Sequence, residues 1–272
     1  MATEAFYLPA AGGQRFCLFH QPEAVGREKG NLLFVHPFAE EMNKSRRMAA
    51  LQARALAAAG YGVLLMDLAG CGDSTGSLDH TAWEDWVADA AMGGRWLRQR
   101  SEAPLWLWGL RTGCLVAAAA ARRLDEAVNF LFWQPTVSGK VHLQQFLRLK
   151  VAGALADGGP KGVTQMLRHR LAAGEEIEVA GYVFSASLAN GLEAAELAPP
   201  DRPGRVEWLE LSAQAEASLA PVSQKTLAAW MAAGHDARGR VVAGQQFWQT
   251  VETTECPALL AATLECLQEE SA

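Results

Sequence analysis

The stretch Pro104-Leu105-Trp106-Leu107-Trp108-Gly109-Leu110-Arg111-Thr112-Gly113-Cys114-Leu115-Val116-Ala117 decides the fold. The apolar run Leu105 to Trp108, entered from a proline, reads as a buried strand. Cys114 to Leu124 is alanine-rich and reads as a tightly packed helix. Between them, Gly109 and Gly113 bracket a sharp turn with the spacing of G-x-S-x-G. In that motif the central residue is held in a strained turn that lifts its side chain above the sheet. Two glycines alone are a weak signal, and the strand–turn–helix context is what gives them meaning. The central residue here is Arg111. A guanidinium stays protonated at any ordinary pH and cannot attack a carbonyl. Thr112 follows the apex, and Cys114 reads as a small hydrophobe turned into packing.

Outward from the elbow, further apolar runs read as strands at Asn31 to Val35, Gly62 to Met66, Asn129 to Trp133 and Val206 to Leu211, with a weaker one at Gly239 to Ala243. Helical patterns run from Met48 to Ala59, ending at Gly60, and from Trp83 to Arg98. Strands alternating with helices predict an α/β fold with a mostly parallel central sheet and helices on both faces. The alternation stops over residues 138–203, a mostly helical stretch punctuated by Gly158-Gly159-Pro160 and Pro199-Pro200. The expectation is one domain over residues 1–272, with 138–203 an inserted helical cap above the carboxyl ends of the strands, where open α/β sheets bind ligands.

Three other landmarks bear on chemistry. Phe34-Val35-His36-Pro37-Phe38-Ala39-Glu40-Glu41 follows a strand and opens a helix. A loop in this place supplies an oxyanion-hole N–H beside such elbows, so Phe38 is the expected donor. His36 either takes part or only orders the loop. Asp67-Leu68-Ala69-Gly70-Cys71-Gly72-Asp73-Ser74 reads as a structural turn tied down by Asp67. An acid and then a histidine should follow the elbow in chain order. Glu210, at the end of its strand, is the candidate acid. Gln245-Gln246-Phe247-Trp248 stands where the histidine is expected. His235 precedes the last strand, and His142 and His169 fall in the expected cap, where solvent exposure is the default.

Composition narrows the partners. At 272 residues and half hydrophobic, the chain can bury a sizeable core. A net charge of −6 without a basic stripe argues against nucleic acid. Five scattered cysteines without a C-x-x-C pair argue against a zinc or redox motif, and no metal or cofactor is expected. The N-terminus lacks a basic segment followed by an apolar one, and the longest apolar run, Leu115 to Ala121, is too short to span a bilayer. The expectation is a cytoplasmic protein without membrane insertion, its thiols reduced.

The segments His36-Pro37-Phe38-Ala39-Glu40-Glu41-Met42-Asn43, Gly109-Leu110-Arg111-Thr112-Gly113, Trp133-Gln134-Pro135-Thr136-Val137-Ser138-Gly139 and Phe247-Trp248-Gln249-Thr250 together resemble one family. It is the exosortase A system-associated hydrolase, type 2, of the α/β-hydrolase superfamily. The resemblance runs over most of the chain and implies the α/β-hydrolase fold. It also implies a genomic setting of exosortase-dependent PEP-CTERM protein sorting and exopolysaccharide production, with no defined substrate. Two readings of the site remain open. In one, the chain is a hydrolase or acyltransferase acting on ester or thioester bonds through a non-standard site, with His36, Glu40 and Glu41 nearest to replace a base or nucleophile. In the other, Arg111, Thr112, Phe38 and Glu41 bind a small anionic or acyl ligand at a helix N-terminus. Arg111 can equally be an internal ion pair with Glu40 or Glu41.

Overall fold

In the computed structural model, residues 2–23, 28–156, 163–214 and 217–269 are described. In chain order they form β1 (Thr3–Ala10), β2 (Gly13–His20), β3 (Gly30–Val35), α1 (Glu40–Ala58), β4 (Tyr61–Met66), α2 (Trp83–Arg98), β5 (Leu105–Leu110), α3 (Gly113–Ala121) and β6 (Asn129–Trp133). There follow α4 (Gly139–Ala156), α5 (Val163–Ala172), β7 (Ile177–Val179), β8 (Tyr182–Phe184), α6 (Ala186–Ala194), β9 (Arg205–Ser212), α7 (Pro221–Ala232), β10 (Asp236–Ala243) and α8 (Pro257–Gln268).

One sheet of eight strands runs in the order β1-β2-β4-β3-β5-β6-β9-β10. β3, β4, β5, β6, β9 and β10 pair in parallel, and β2 joins β4 antiparallel. Side chains alternate across a strand, so each strand feeds two cores. Leu33, Val35, Leu107, Phe130, Phe132 and Trp208 pack with residues of α2, α3 and α7 on one face. Leu32, Phe34, Trp106, Trp108, Leu131 and Trp133 pack with α1 and α8 on the other. Burial on both faces is why the strands read as continuous apolar runs rather than alternating ones. Trp133 Nε1 donates to Thr263 Oγ1 at 2.9 Å, fastening α8 to the sheet.

The sheet confirms the parallel α/β expectation and adds a hairpin. β1 and β2 pair antiparallel ahead of the six expected strands. The helix expected from Met48 begins at Glu40, so Glu40 and Glu41 lie in its first turn rather than in a loop. Carboxylates there meet the positive end of the helix dipole. The helix expected to reach Leu124 ends at Ala121.

Between β6 and β9 lie α4, α5 and α6, together with the small β7–β8 hairpin, which a purely helical reading lacked. Gly158-Gly159-Pro160 lies outside the described residues. Phe146 of α4 and Phe184 of β8 pack edge-on against Phe38, just past the end of β3, with ring centroids 4.9 and 5.6 Å away. Among the described residues, no helix is long and apolar enough to cross a membrane.

Candidate functional site

The elbow is a left-handed turn carried by a non-glycine residue. Arg111 has φ 55°. Such a backbone costs of order 1–3 kcal/mol and persists only when its surroundings enforce it. Here they do. Arg111 N donates to Trp133 O at 3.0 Å, and Arg111 O accepts from Thr136 N at 3.2 Å and from Cys114 N at 3.1 Å. The flanking glycines permit a close approach. A Cβ on Gly109 would lie 2.6 Å from Cys114 Cα, and one on Gly113 would lie 2.1 Å from Val35 O. The chain therefore holds the Arg111 side chain above the carboxyl ends of β3 and β5.

The guanidinium does not stand alone. Arg111 Nε donates to Glu41 Oε1 at 3.2 Å, with side chains 15% and 17% exposed. Its carbon lies 5.6 Å from the centroid of the Trp248 ring, a cation–π contact. Burial pushes the Glu41 carboxyl above its ordinary range, and the Arg111 charge and hydrogen bond oppose that rise. Among the described residues, the two Nη groups engage no acceptor.

A cavity of about 450 Å³ opens over this pair, lined by Phe38, Glu40, Glu41, Lys44, Arg111, His142, Gln145, Phe146, Trp248 and Gln249. Phe38, Phe146 and Trp248 supply an apolar wall. Lys44 Nζ donates to Thr250 O at 2.7 Å, and Glu40 Oε2 accepts from Tyr182 OH at 2.8 Å. Two buried polar atoms on the cavity residues have no partner among the described residues, Glu41 Oε2 and His142 Nδ1. His142 is 6% exposed, and its pKa is pushed down to about 3, first by burial and then by the Arg111 charge. Its imidazole is neutral at physiological pH.

The sequence profile of the family described as serine aminopeptidase, S33, matches residues 26–161, half of the chain. The chain belongs to that family. The serine aminopeptidase family sits within the α/β-hydrolase superfamily, and solved structures agree on the fold. Est1E from Butyrivibrio proteoclasticus, determined with ferulic acid bound, superposes with a TM-score of 0.67 at 14% identity, covering 97% of this chain and 96% of that one. The proline iminopeptidase-related protein of Thermus thermophilus gives 0.61 at 19% identity, covering 98% of each chain. An α/β serine hydrolase without lid from Xanthomonas campestris gives 0.58 at 17% identity, covering 98% and 92%. No curated protein matches the sequence. At these identities the structures speak to fold alone.

Within this serine aminopeptidase-family chain, the sequence candidates divide into those at the cavity and those elsewhere. Arg111, Glu41 and Phe38 converge on it. Thr112 lies beside it, and its Oγ1 accepts the Phe38 N–H at 2.9 Å, so the expected oxyanion donor already has a partner. His36 is not at the cavity. Its Nδ1 donates to Pro37 O at 2.9 Å and its Nε2 accepts from Leu68 N at 3.1 Å, a neutral tautomer that ties two loops together. Glu210 sits at the end of β9, accepting from Trp208 Nε1 at 2.9 Å and Ala220 N at 3.3 Å, with no histidine among these partners. His235 is at the opposite end of β10, bonded to Gly204 and Pro200. Asp67 accepts from Asp73 N and from Arg46, a turn brace. Cys114 is fully buried, its thiol held well above the ordinary pKa by burial.

His142 is a correction: its place in the cap implies exposure, yet the side chain is buried in the cavity while His169 is exposed. The physical reason is helical spacing. His142, Gln145 and Phe146 fall at i, i+3 and i+4 on α4 and so share one face. Phe38 receives that face, with the His142 ring at 6.2 Å and the Phe146 ring at 4.9 Å. Trp248 is a further site residue that motif reasoning misses. It occupies the segment after β10 where a histidine is expected, and it packs on Arg111.

Proposed function

We propose that this α/β-hydrolase-superfamily chain binds a small anionic or acyl ligand at its elbow and does not carry out serine-type hydrolysis. The observation that carries the proposal is the Arg111 side chain, which lines the cavity, is fixed at the apex through Nε to Glu41 and has no acceptor on its Nη groups among the described residues. A carboxylate or phosphate there gains charge-assisted bonds from the guanidinium, each contributing about 1.5–3 kcal/mol, beside the N-terminus of α3. The insert over residues 138–203 acts as the cap that closes this cavity. The resemblance to exosortase A system-associated hydrolases of type 2 suggests a ligand from PEP-CTERM sorting or exopolysaccharide production, handled in the cytoplasm.

A second reading, a hydrolase or acyltransferase with a non-standard site, draws on His142 in the same cavity. A base with a pKa near 3 has little driving force to take a proton at neutral pH, which weighs against it.

Calorimetric titration with decanoate and with inorganic phosphate, on the native protein and on Arg111→Ala, tests the proposal. At least one anion is expected to bind the native protein at millimolar concentration or tighter and to lose at least tenfold in the variant. Equal binding by both proteins, or none by either, overturns it. Covalent capture of a fluorophosphonate by the native protein would favour the hydrolase reading instead.

A further inference from the structure

We infer, resting on the assignment of Arg111 as the anion anchor, that the cavity is built for a hydroxy acid with an apolar tail. Three features of its lining specify three parts of such a ligand. The Arg111 Nη groups call for an anion. The rings of Phe38, Phe146 and Trp248 call for an apolar body. The third feature is less usual: Glu41 Oε2, from α1, and His142 Nδ1, from α4, are buried atoms of residues that line the same cavity, and neither has a partner among the described residues.

An ionised carboxylate oxygen only accepts hydrogen bonds, and the Nδ1 of a neutral imidazole accepts when Nε2 carries the proton. Buried polar groups are ordinarily satisfied, so two orphans around one cavity mark where a donor belongs. A plain fatty acid brings an anion to Arg111 but no donor, and it sets a second carboxylate beside Glu41. A hydroxyl close to the ligand carboxylate supplies the donor while the carboxylate stays on the guanidinium. An ammonium would donate as well, but it would add a charge to a cavity whose two cations, Arg111 and Lys44, already face two carboxylates, Glu40 and Glu41. The hydroxyl supplies the donor without adding charge.

The test compares decanoate with 2-hydroxydecanoate and 3-hydroxydecanoate by calorimetry or NMR titration. In the native protein the better hydroxy acid is expected to bind about tenfold tighter than decanoate, the worth of one hydrogen bond to a buried acceptor. Arg111→Ala is expected to weaken all three acids, and His142→Phe to erase the preference while decanoate still binds. If all three bind the native protein equally and Arg111→Ala weakens them all, the hydroxy-acid assignment is overturned while the anion site stands. If none binds, the hydroxy-acid assignment is overturned, and the anion site fails as well unless inorganic phosphate binds the native protein and is lost in Arg111→Ala. A preference that survives in His142→Phe removes His142 from the recognition. Should that variant not fold, the comparison in the native protein alone decides.

Discussion

Arg111 Nε and Glu41 Oε1 meet at 3.2 Å across 70 residues of sequence, joining the apex of the elbow to the first turn of α1. The pair is mostly shielded from water, so removing one partner strands the other. Arg111→Ala is expected to lower stability by about 1–3 kcal/mol, because Glu41 loses its hydrogen bond and its counter-charge. Arg111→Gly should cost about 1 kcal/mol less than the alanine variant, since glycine accepts the left-handed backbone without strain. Urea denaturation of the two variants checks the ordering. Equal stabilities would mean that the elbow carries no backbone strain.

Restoring a serine should not restore an esterase. Arg111→Ser is expected to show no hydrolysis of aryl acetates above background. A serine needs an aligned base to become nucleophilic. Both His36 nitrogens are committed within the loops, His235 is at the far end of β10, and Trp248 fills the segment after β10. Initial-rate assays at neutral pH decide the matter. Robust turnover in this single variant would point to His142, whose imidazole lines the cavity, as an unrecognised base.

The sequence displayed the centre of the fold better than its rim. β3, β5 and β6 were legible because burial on both faces makes them continuous apolar runs, and the elbow because two glycines stand where backbone meets backbone. β1 and β2 are not marked by the strand–helix alternation that reveals the central strands, although a signal exists, the runs Phe6-Tyr7-Leu8 and Phe16-Cys17-Leu18-Phe19 on either side of Gly12-Gly13. They are joined to each other by a turn rather than by a helical pattern, and only β1 lies at the sheet edge. At the site, Arg111, Glu41 and Phe38 were legible from motif position. His142 was not, because its burial comes from Phe38, far earlier in the chain, and local sequence says nothing of that packing.

Gly113 offers a test of how tightly the elbow is seated. A Cβ there would lie 2.1 Å from Val35 O and 2.8 Å from His36 O, both backbone atoms that cannot swing aside. Gly113→Ala is therefore expected to cost roughly 3 kcal/mol or more, or to prevent folding. Gly174→Ala serves as the control. It has open space and only a positive φ to accommodate, so about 1 kcal/mol is expected. Similar thermal midpoints for the two variants would show that β3 and α3 are less closely apposed than the geometry implies.

His142 should leave a signature in the pH dependence of stability. Its pKa is lowered from 6.5 to about 3, so between these values the unfolded chain binds a proton that the folded one does not. Stability then rises with pH through that window, is fully present above about 6.5, and is lost as pH falls towards 3. A shift of this size corresponds to on the order of 4 kcal/mol across the window. His36, also lowered by burial, adds a slope of the same sign, so the native curve reports both. His142→Phe removes one contribution and keeps an aromatic ring against Phe38, so its stability should fall less steeply on acidification while matching or exceeding the native value near pH 7. Urea midpoints taken from about pH 7 down to about pH 4 on both proteins give the comparison. Parallel curves would mean that the imidazole is protonated in the folded state over this range, and with it the neutral acceptor facing Arg111 would be lost.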